Sequence, residues 1–284
     1  MSRLAIMQGR LLPPQQGRFQ CFPRDRWREE FATAADAGLD AIEWIYDRQG
    51  ADVNPLASDA GIAEVQFLAR RHRIAVVSVC ADYFMDCPFV TASPAEFAEL
   101  TAHLIWMLDR CRLAGIGRAV LPFVDASRIH TPAQEAAVVE MLREVLPHAE
   151  EAGVELHLET ALGPEEFAAM LARLPHPLLK ANYDSGNSAS LGYDVRRELA
   201  AYGARIGSVH IKDRVRGGGT VPLGSGDAAL PALFAGLATL SYSGDFVLQV
   251  ARGAAGDEVD WARQNVAYFR REWGRASLAA GGSR

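Results

Sequence analysis

Hydrophobic positions along the chain follow two periods, one typical of amphipathic helices and one typical of short buried strands. Three segments share one order, in which an amphipathic helix is followed by Ala-Gly and then by a short apolar strand. The glycine supplies the left-handed residue with which helices commonly end. The helix and strand of these segments cover residues 27–36 and 39–43, 97–113 and 118–122, and 135–151 and 154–159. Their spacing fits a repeat of about 38 residues, the size of one βα unit in a (β/α)8 barrel.

Further apolar runs complete a predicted set of eight strands. They cover residues 4–8, 74–80, 178–184, 206–212 and 246–250. Strands that alternate with helices predict a parallel sheet with right-handed crossovers. An open doubly wound sheet is the alternative, but Gln8-Gly9-Arg10 follows the first strand in place of a glycine-rich dinucleotide motif. We therefore predict the α/β class, with a single (β/α)8 TIM barrel over residues 1–275 and a flexible C-terminal tail over 276–284.

Several predicted strands carry polar residues along one face. Because side chains alternate along a strand, Glu155, His157 and Glu159 share a face, opposite Leu156 and Leu158. Helices cover the outside of a parallel barrel, so the apolar face belongs outside and the polar face points into the lumen. An unpaired buried ion costs several kcal/mol, so the lumen must supply these groups with partners or with a cation.

The inward residues nearest the C-terminal mouth of the barrel form a candidate metal site. Those of strands five to eight are Glu159, Asp184, His210 and Gln249. These mostly hard ligands predict one divalent metal, with Mn2+ favoured and Mg2+, Co2+ or Zn2+ as alternatives. The competing interpretation is a lumenal network of salt bridges and hydrogen bonds that uses Lys180 and Lys212.

Composition narrows the class of protein. The 284 residues are 49% hydrophobic and carry a net charge of -6, which gives no general electrostatic attraction to nucleic acid. The four cysteines lack metal or disulfide spacing and are typical of a reduced, cytoplasmic protein. We find neither a signal peptide nor a membrane-spanning run. The expected partner is a small molecule and not a nucleic acid or a membrane, and the oligomeric state stays open, with a homo-oligomer among the options.

The chain resembles the sugar phosphate isomerase/epimerase family of xylose-isomerase-like barrels over nearly its whole length. The resemblance lies in the order and spacing of short motifs. They are residues 7–10 (MQGR), 41–43 (AIE), 121–123 (LPF), 156–159 (LHLE), 183–187 (YDSGN), 209–213 (VHIKD) and 221–226 (VPLGSG). Members bind one divalent metal through Glu, Asp, His and Glu on strands five to eight. The resemblance matches Glu159, Asp184 and His210 to the first three ligands.

The fourth ligand position departs from the family pattern, because Gln249 stands where glutamate is expected. An amide oxygen can ligate a metal, but an amide cannot abstract a proton. The resemblance implies an isomerase or epimerase that removes a proton next to a carbonyl through a metal-stabilised enediolate. We expect Glu159 to be ligand and general base, and Lys212 to be a second proton-transfer group or a salt-bridge partner. Two-glutamate epimerisation is put in question by Gln249.

Substrate contacts are expected from residues near the mouth of the barrel. Glu43 ends the second strand, where it can bind a sugar hydroxyl or pair with Arg10. Asn187 follows Asp184 closely and is a candidate for substrate contact. Arg214 and Arg216 leave the seventh strand, and their guanidinium groups suit a carboxylate or phosphate on the substrate.

Three alternative functions stay open on sequence grounds. One is a lyase or dehydratase acting on a keto-sugar or an inositol-like substrate. Another is a sugar-binding barrel without catalysis, which Gln249 favours. The third, a nuclease resembling endonuclease IV, needs a multi-zinc cluster and a basic groove, and the sequence indicates neither.

Overall fold

The strands that build the barrel are short and buried. The structure is a computed structural model that describes residues 2–281, apart from the side chain of Gln16. Its barrel strands are β1 (Leu4–Met7), β2 (Ala41–Ile45), β3 (Ala75–Cys80), β4 (Arg118–Phe123), β5 (Glu155–Thr160), β6 (Leu179–Asp184), β7 (Ile206–Ile211) and β10 (Asp245–Leu248). A small antiparallel hairpin, β8 (Asp213–Arg214) and β9 (Thr220–Val221), lies between the last two barrel strands in the sequence.

Helices follow the strands along the chain, and several begin at a residue whose side chain caps the first turn, such as Ser58, Ser93 and Thr131. They are α1 (Glu29–Asp36), α2 (Asp59–His72), α3 (Tyr83–Asp86), α4 (Pro94–Ala114), α5 (Pro132–Ala152), α6 (Pro164–Ala172), α7 (Ser185–Leu191), α8 (Val195–Tyr202), α9 (Leu230–Thr239) and α10 (Glu258–Gly281). Short 3-10 turns lie at Gln15–Gly17, Pro55–Ala57, Phe89–Thr91, Asp125–Ser127 and Gly203–Arg205. Gly115 and Gly153 end α4 and α5 in the left-handed conformation, as the Ala-Gly pattern predicts.

The strands close on themselves. Their order around the barrel is β1-β10-β7-β6-β5-β4-β3-β2, and every neighbouring pair is parallel. This arrangement confirms the predicted (β/α)8 TIM barrel. Closure removes the sheet edges and brings the C-terminal ends of all eight strands to one mouth.

The apolar core lies between the barrel and its helices. Phe246 on β10 shows the packing of this layer, since its ring centroid lies 4.8 Å from those of both Phe269 and Trp273 on α10. Among the described residues, no helix combines the length and the apolar content that a membrane crossing needs. The last helix continues to Gly281, so residues 276–281 of the expected flexible tail are helical, and residues 282–284 lie outside the described residues.

We expect Phe246→Ala to lower the free energy of unfolding by about 3–5 kcal/mol, because truncation of a large core side chain leaves a cavity. Urea unfolding followed by circular dichroism measures the change. Leu278→Ala is the control, since this side chain is 80% exposed and should change stability by less than about 0.5 kcal/mol. Equal stability of the two variants would contradict the packing described here.

Candidate metal centre and active site

Three of the predicted ligands meet at the mouth of the barrel. Glu159 on β5, Asp184 at the end of β6 and His210 on β7 are buried, and their ligand atoms all lie within 4.8 Å of one another. Nδ1 of His210 is 3.3 Å from Oε2 of Glu159 and 3.9 Å from Oδ2 of Asp184. The three strands are adjacent in the barrel, which is why residues far apart in sequence converge here.

The donor atoms of this cluster fit a divalent cation. Nδ1 of His210 is buried, yet it makes no hydrogen bond to any residue in the described part of the chain. Buried polar atoms almost always have a partner, so an atom that faces two carboxylates without one points to a further group between them. One imidazole nitrogen and two carboxylate oxygens form a ligand set suited to Mn2+, Mg2+ or Zn2+.

Glu43 lies behind the histidine. Its Oε1 is 2.7 Å from Nε2 of His210, and its Oε2 accepts a hydrogen bond of 2.6 Å from Ser78. Burial acts to raise the pKa of Glu43, but the adjacent imidazole and the Ser78 hydroxyl outweigh burial and lower it. Burial acts to lower the pKa of His210, and the carboxylates of Glu43 and Glu159 instead raise it well above its ordinary value.

The position of Glu43 differs from the sequence prediction. The carboxylate is fully buried beneath His210, so neither a sugar hydroxyl nor Arg10 is its partner. Arg10 instead donates to Val250 and Gln20. A carboxylate in this position fixes the orientation of the imidazole ring, as a carboxylate behind a metal-ligating histidine commonly does.

Two asparagines hold the carboxylate of Glu159. Asn182 donates to Oε2 at 3.1 Å, and Asn187 donates to Oε1 at 2.6 Å. Asn187 is in turn held by Asp184, which accepts from its backbone N–H at the start of α7, and by Arg214, which donates to its side-chain oxygen. Both amides are neutral, so they orient the carboxylate, and the ionisable group beside it is the imidazole of His210 at 3.3 Å.

Lys212 and Gln249 face each other beside the metal cluster. Nζ of Lys212 lies 3.3 Å from Oδ2 of Asp184 and donates to Oε1 of Gln249 at 2.9 Å. The predicted fourth ligand oxygen is therefore engaged by an ammonium group. The lysine stem passes close to Gly186, where an added Cβ would lie 2.6 Å from Cγ of Lys212, so the backbone of α7 leaves room for this side chain.

A hydrogen-bonded chain fills the lumen below the cluster. Lys180 donates to Glu155, and Glu155 contacts Nε2 of His157. The other ring nitrogen of His157 contacts Ser208, which donates to Asn182 above it. The sequence analysis left open whether the lumen holds a metal site or a polar network. The lower lumen is a polar network, and the upper lumen has the geometry of a metal site.

A cavity of about 230 Å³ opens above the cluster. Its lining includes Glu159, Asn187, Lys212, Arg214 and Gln249 on one side and Phe19, Gln20, Cys80, Asp82 and Met85 on the other. Arg216 does not line this cavity, and its contact with substrate stays a prediction. Its guanidinium lies against Gly192, within 2.6 Å of where a Cβ would be.

Sequence reasoning missed several residues of this cavity, among them Gln20 and Asp82. Asp82 continues the two-residue alternation of β3 through Ser78 and Cys80, so strand parity could have indicated it. Gln20 lies in the irregular loop after β1, where no periodic signal exists. Gln20 accepts from Gln249 at 3.1 Å and donates to Asp82 at 2.8 Å, so this loop joins two sides of the cavity.

The family model for xylose isomerase-like TIM barrels matches residues 31–272. The chain belongs to this family. Among curated protein sequences, none matches the chain. The chain shares its fold with solved structures at identities of 18–19%, which establish the fold alone.

An L-ribulose 3-epimerase is 19% identical, with a TM-score of 0.79, over 99% of this chain and 97% of the other. A D-allulose 3-epimerase from Methylomonas sp., in complex with D-allulose, is 18% identical, with a TM-score of 0.72, over 95% and 97%. A xylose isomerase-like TIM barrel protein from Mycobacterium smegmatis, in complex with magnesium, is 18% identical, with a TM-score of 0.71, over 98% of both chains.

We expect Asp184→Asn to weaken Mn2+ binding by about 100-fold or more, because the substitution removes a charged ligand. Asparagine keeps a side-chain oxygen that can cap α7, so the fold should persist. Isothermal titration calorimetry with Mn2+ measures the affinity. Asp194→Asn, at the exposed cap of α8, is the matched control and should bind Mn2+ as the wild type does.

Glu43→Gln should weaken Mn2+ binding by about 10–100-fold, the usual effect of losing the carboxylate that orients a ligating histidine. The glutamine oxygen can still accept from Ser78, so we expect only a modest loss of thermal stability. The same calorimetric titration measures the affinity, beside a thermal melt of the metal-free protein. Wild-type affinity in this variant would show that Glu43 has no influence on the metal site.

Proposed function

We propose that this protein is a divalent-metal-dependent isomerase or epimerase that removes a proton from carbon next to the carbonyl of a small sugar. The observation that carries the proposal is the setting of Glu159. This carboxylate lines the cavity, is held by two neutral amides and lies beside the metal cluster. The named activities of the epimerases that share the fold support the same reaction class.

Glu159, Asp184 and His210 would hold the metal, and Mn2+ is our first choice because the ligands are mostly oxygen. Such a cation, when bound, polarises a substrate carbonyl and stabilises the negative charge that develops on oxygen. Gln249 is the remaining candidate ligand, provided that its oxygen leaves Lys212. The magnesium complex of the Mycobacterium smegmatis protein is consistent with a hard cation in this fold.

Different side chains of the cavity then remove the proton, balance charge and contact the substrate. Glu159 takes the proton from carbon, and Asn182 and Asn187 keep its two oxygens directed while it does so. Lys212 extends its ammonium into the same cavity, where it can hold a substrate oxygen and balance negative charge as the enediolate forms. Arg214 lies at the rim and is our candidate for contact with the distal part of the substrate, including a carboxylate or phosphate.

The volume and polarity of the cavity favour a small ligand. About 230 Å³, lined largely by amide, carboxylate and ammonium groups, suits a hydroxyl-rich molecule of monosaccharide size. We therefore propose a ketose or a related keto-sugar as substrate.

A second candidate function is sugar binding without turnover. Gln249 favours it, because the amide at this position cannot exchange a proton with substrate. This function predicts stabilisation of the protein by a sugar without hydrogen exchange at carbon, so one experiment separates the two.

We expect Glu159→Gln to reduce hydrogen exchange at carbon by about 10²–10⁴-fold, since general bases contribute acceleration of this order. The assay incubates Mn2+-loaded protein in D2O with D-fructose, D-allulose, D-tagatose or L-ribulose and follows loss of the carbon-bound proton by NMR. Glu140→Gln, on the exposed face of α5, is the control and should exchange at the wild-type rate. Sugar binding by the wild type without exchange into any of the four ketoses would favour the non-catalytic barrel.

A further inference from the structure

We propose that Asp82 is the second proton-transfer residue of the cavity and delivers a proton to the carbon from which Glu159 removes one. The inference rests on the proposed function, since both residues act on the same substrate. It assigns the reaction to epimerisation, because a second donor on another wall permits inversion at carbon.

Inversion requires two proton-transfer groups on different sides of the carbon. Gln249 cannot be one of them, since an amide is too weak an acid and too weak a base to transfer a proton to or from carbon at neutral pH. Both ends of this amide are also engaged, the oxygen by Lys212 and the nitrogen by Gln20. The second group must therefore come from elsewhere in the cavity.

Asp82 has the required position. It lies two residues beyond the end of β3, is 6% exposed and lines the same cavity as Glu159. In the strand order β3 lies diametrically across the barrel from β7, which carries His210. A substrate between the metal cluster and β3 therefore has Glu159 and Asp82 on two different walls.

Among the described residues, the hydrogen-bond partners of Asp82 are neutral groups. Its oxygens accept from the amide of Gln20 at 2.8 Å and from the thiol of Cys80 at 3.1 Å, both of which are neutral donors. Among the described residues, no lysine, arginine or histidine nitrogen forms a salt bridge with it. Burial raises the pKa of Asp82 to about 6, although the hydrogen bonds from Gln20 and Cys80 act to lower it, and the nearby charge of Glu159 adds to the rise.

Gln20 fixes the orientation of this carboxyl group. Its amide oxygen accepts from Arg10 at 3.0 Å and from Gln249 at 3.1 Å, which leaves the amide nitrogen to donate to Asp82. Arg10 therefore contacts Gln20 and not the carboxyl group of Asp82, so it forms no ion pair with that group. Two carboxyl groups in one cavity with such different partners are the usual arrangement of a base and an acid.

The proposed step balances without an oxidant or reductant. Glu159 takes the proton as the C–H bond breaks, and the electron pair of that bond becomes the double bond of the enediolate. The same carbon then takes the proton of the Asp82 carboxyl from the other side, and a new C–H bond forms. Glu159 is left protonated and Asp82 ionised, and exchange with water restores both.

The test is Asp82→Asn in D2O, with Mn2+ and whichever of D-fructose, D-allulose, D-tagatose and L-ribulose the wild type exchanges. We expect deuterium to enter within about threefold of the wild-type rate, because Glu159 is intact, while formation of the epimer falls at least about 100-fold. NMR measures the deuterium and chromatography measures the epimer. Calorimetry should show unchanged Mn2+ affinity. Asp86→Asn, an exposed acid on the same segment, is the control and should leave both rates unchanged.

Several outcomes overturn the inference. If Asp82→Asn forms epimer at the wild-type rate, another group returns the proton. If exchange and epimer formation fall in parallel with intact Mn2+ affinity, Asp82 positions the substrate and does not transfer the proton. Exchange by the wild type without any epimer contradicts the role of Asp82 and leaves the proposed function standing. No exchange by the wild type contradicts the proposed function and this inference with it.

Discussion

Ionisable groups shielded from water lie together at the centre of this barrel. Because buried charges need partners, the polar side chains around them are arranged as hydrogen-bond and ion-pair partners. Glu43, Glu159, Asp184 and His210 are all buried, so each requires a partner. A hydroxyl on a neighbouring strand donates to one oxygen of Glu43, and an amide on a neighbouring strand donates to one oxygen of Glu159. The polar chain that continues below them replaces the aliphatic filling usual in such barrels. A cluster supported in this way is held in place before any ligand arrives.

The eighth barrel strand gives this site its asymmetry. Gln249 is neutral and hydrogen-bonds Lys212, so the ammonium and Asp184 form a charge pair next to the metal cluster. The strand β10 therefore contributes no acidic or basic side chain to the cavity, and the carboxyl groups of Glu159 and Asp82 come from β5 and the segment after β3. Gln20 links the two sides physically, since its side chain touches both Gln249 and Asp82.

Most of the fold and half of the site follow from local sequence signals. Buried apolar runs indicate strands directly. For this reason the predicted strand at residues 118–122 agrees with β4 (Arg118–Phe123) to within one residue. Strand parity also placed Glu159, Asp184 and His210 together at the mouth. The contact between Glu43 and His210 has no such local signal, because it depends on how β2 is staggered against β7 across the barrel.

The sequence alone determined the order of strands and helices and the residues that face the lumen, since both follow from the spacing of hydrophobic residues over a few positions. The tertiary structure decided which lumenal groups pair. That choice depends on register, including the shift between Ala181 and Asn182 where β6 meets β7. It also depends on loops, because only the path of the chain after β1 brings Gln20 onto Asp82 and Gln249. Contacts between residues more than 200 positions apart, such as Gln20 and Gln249, leave no trace in a local pattern.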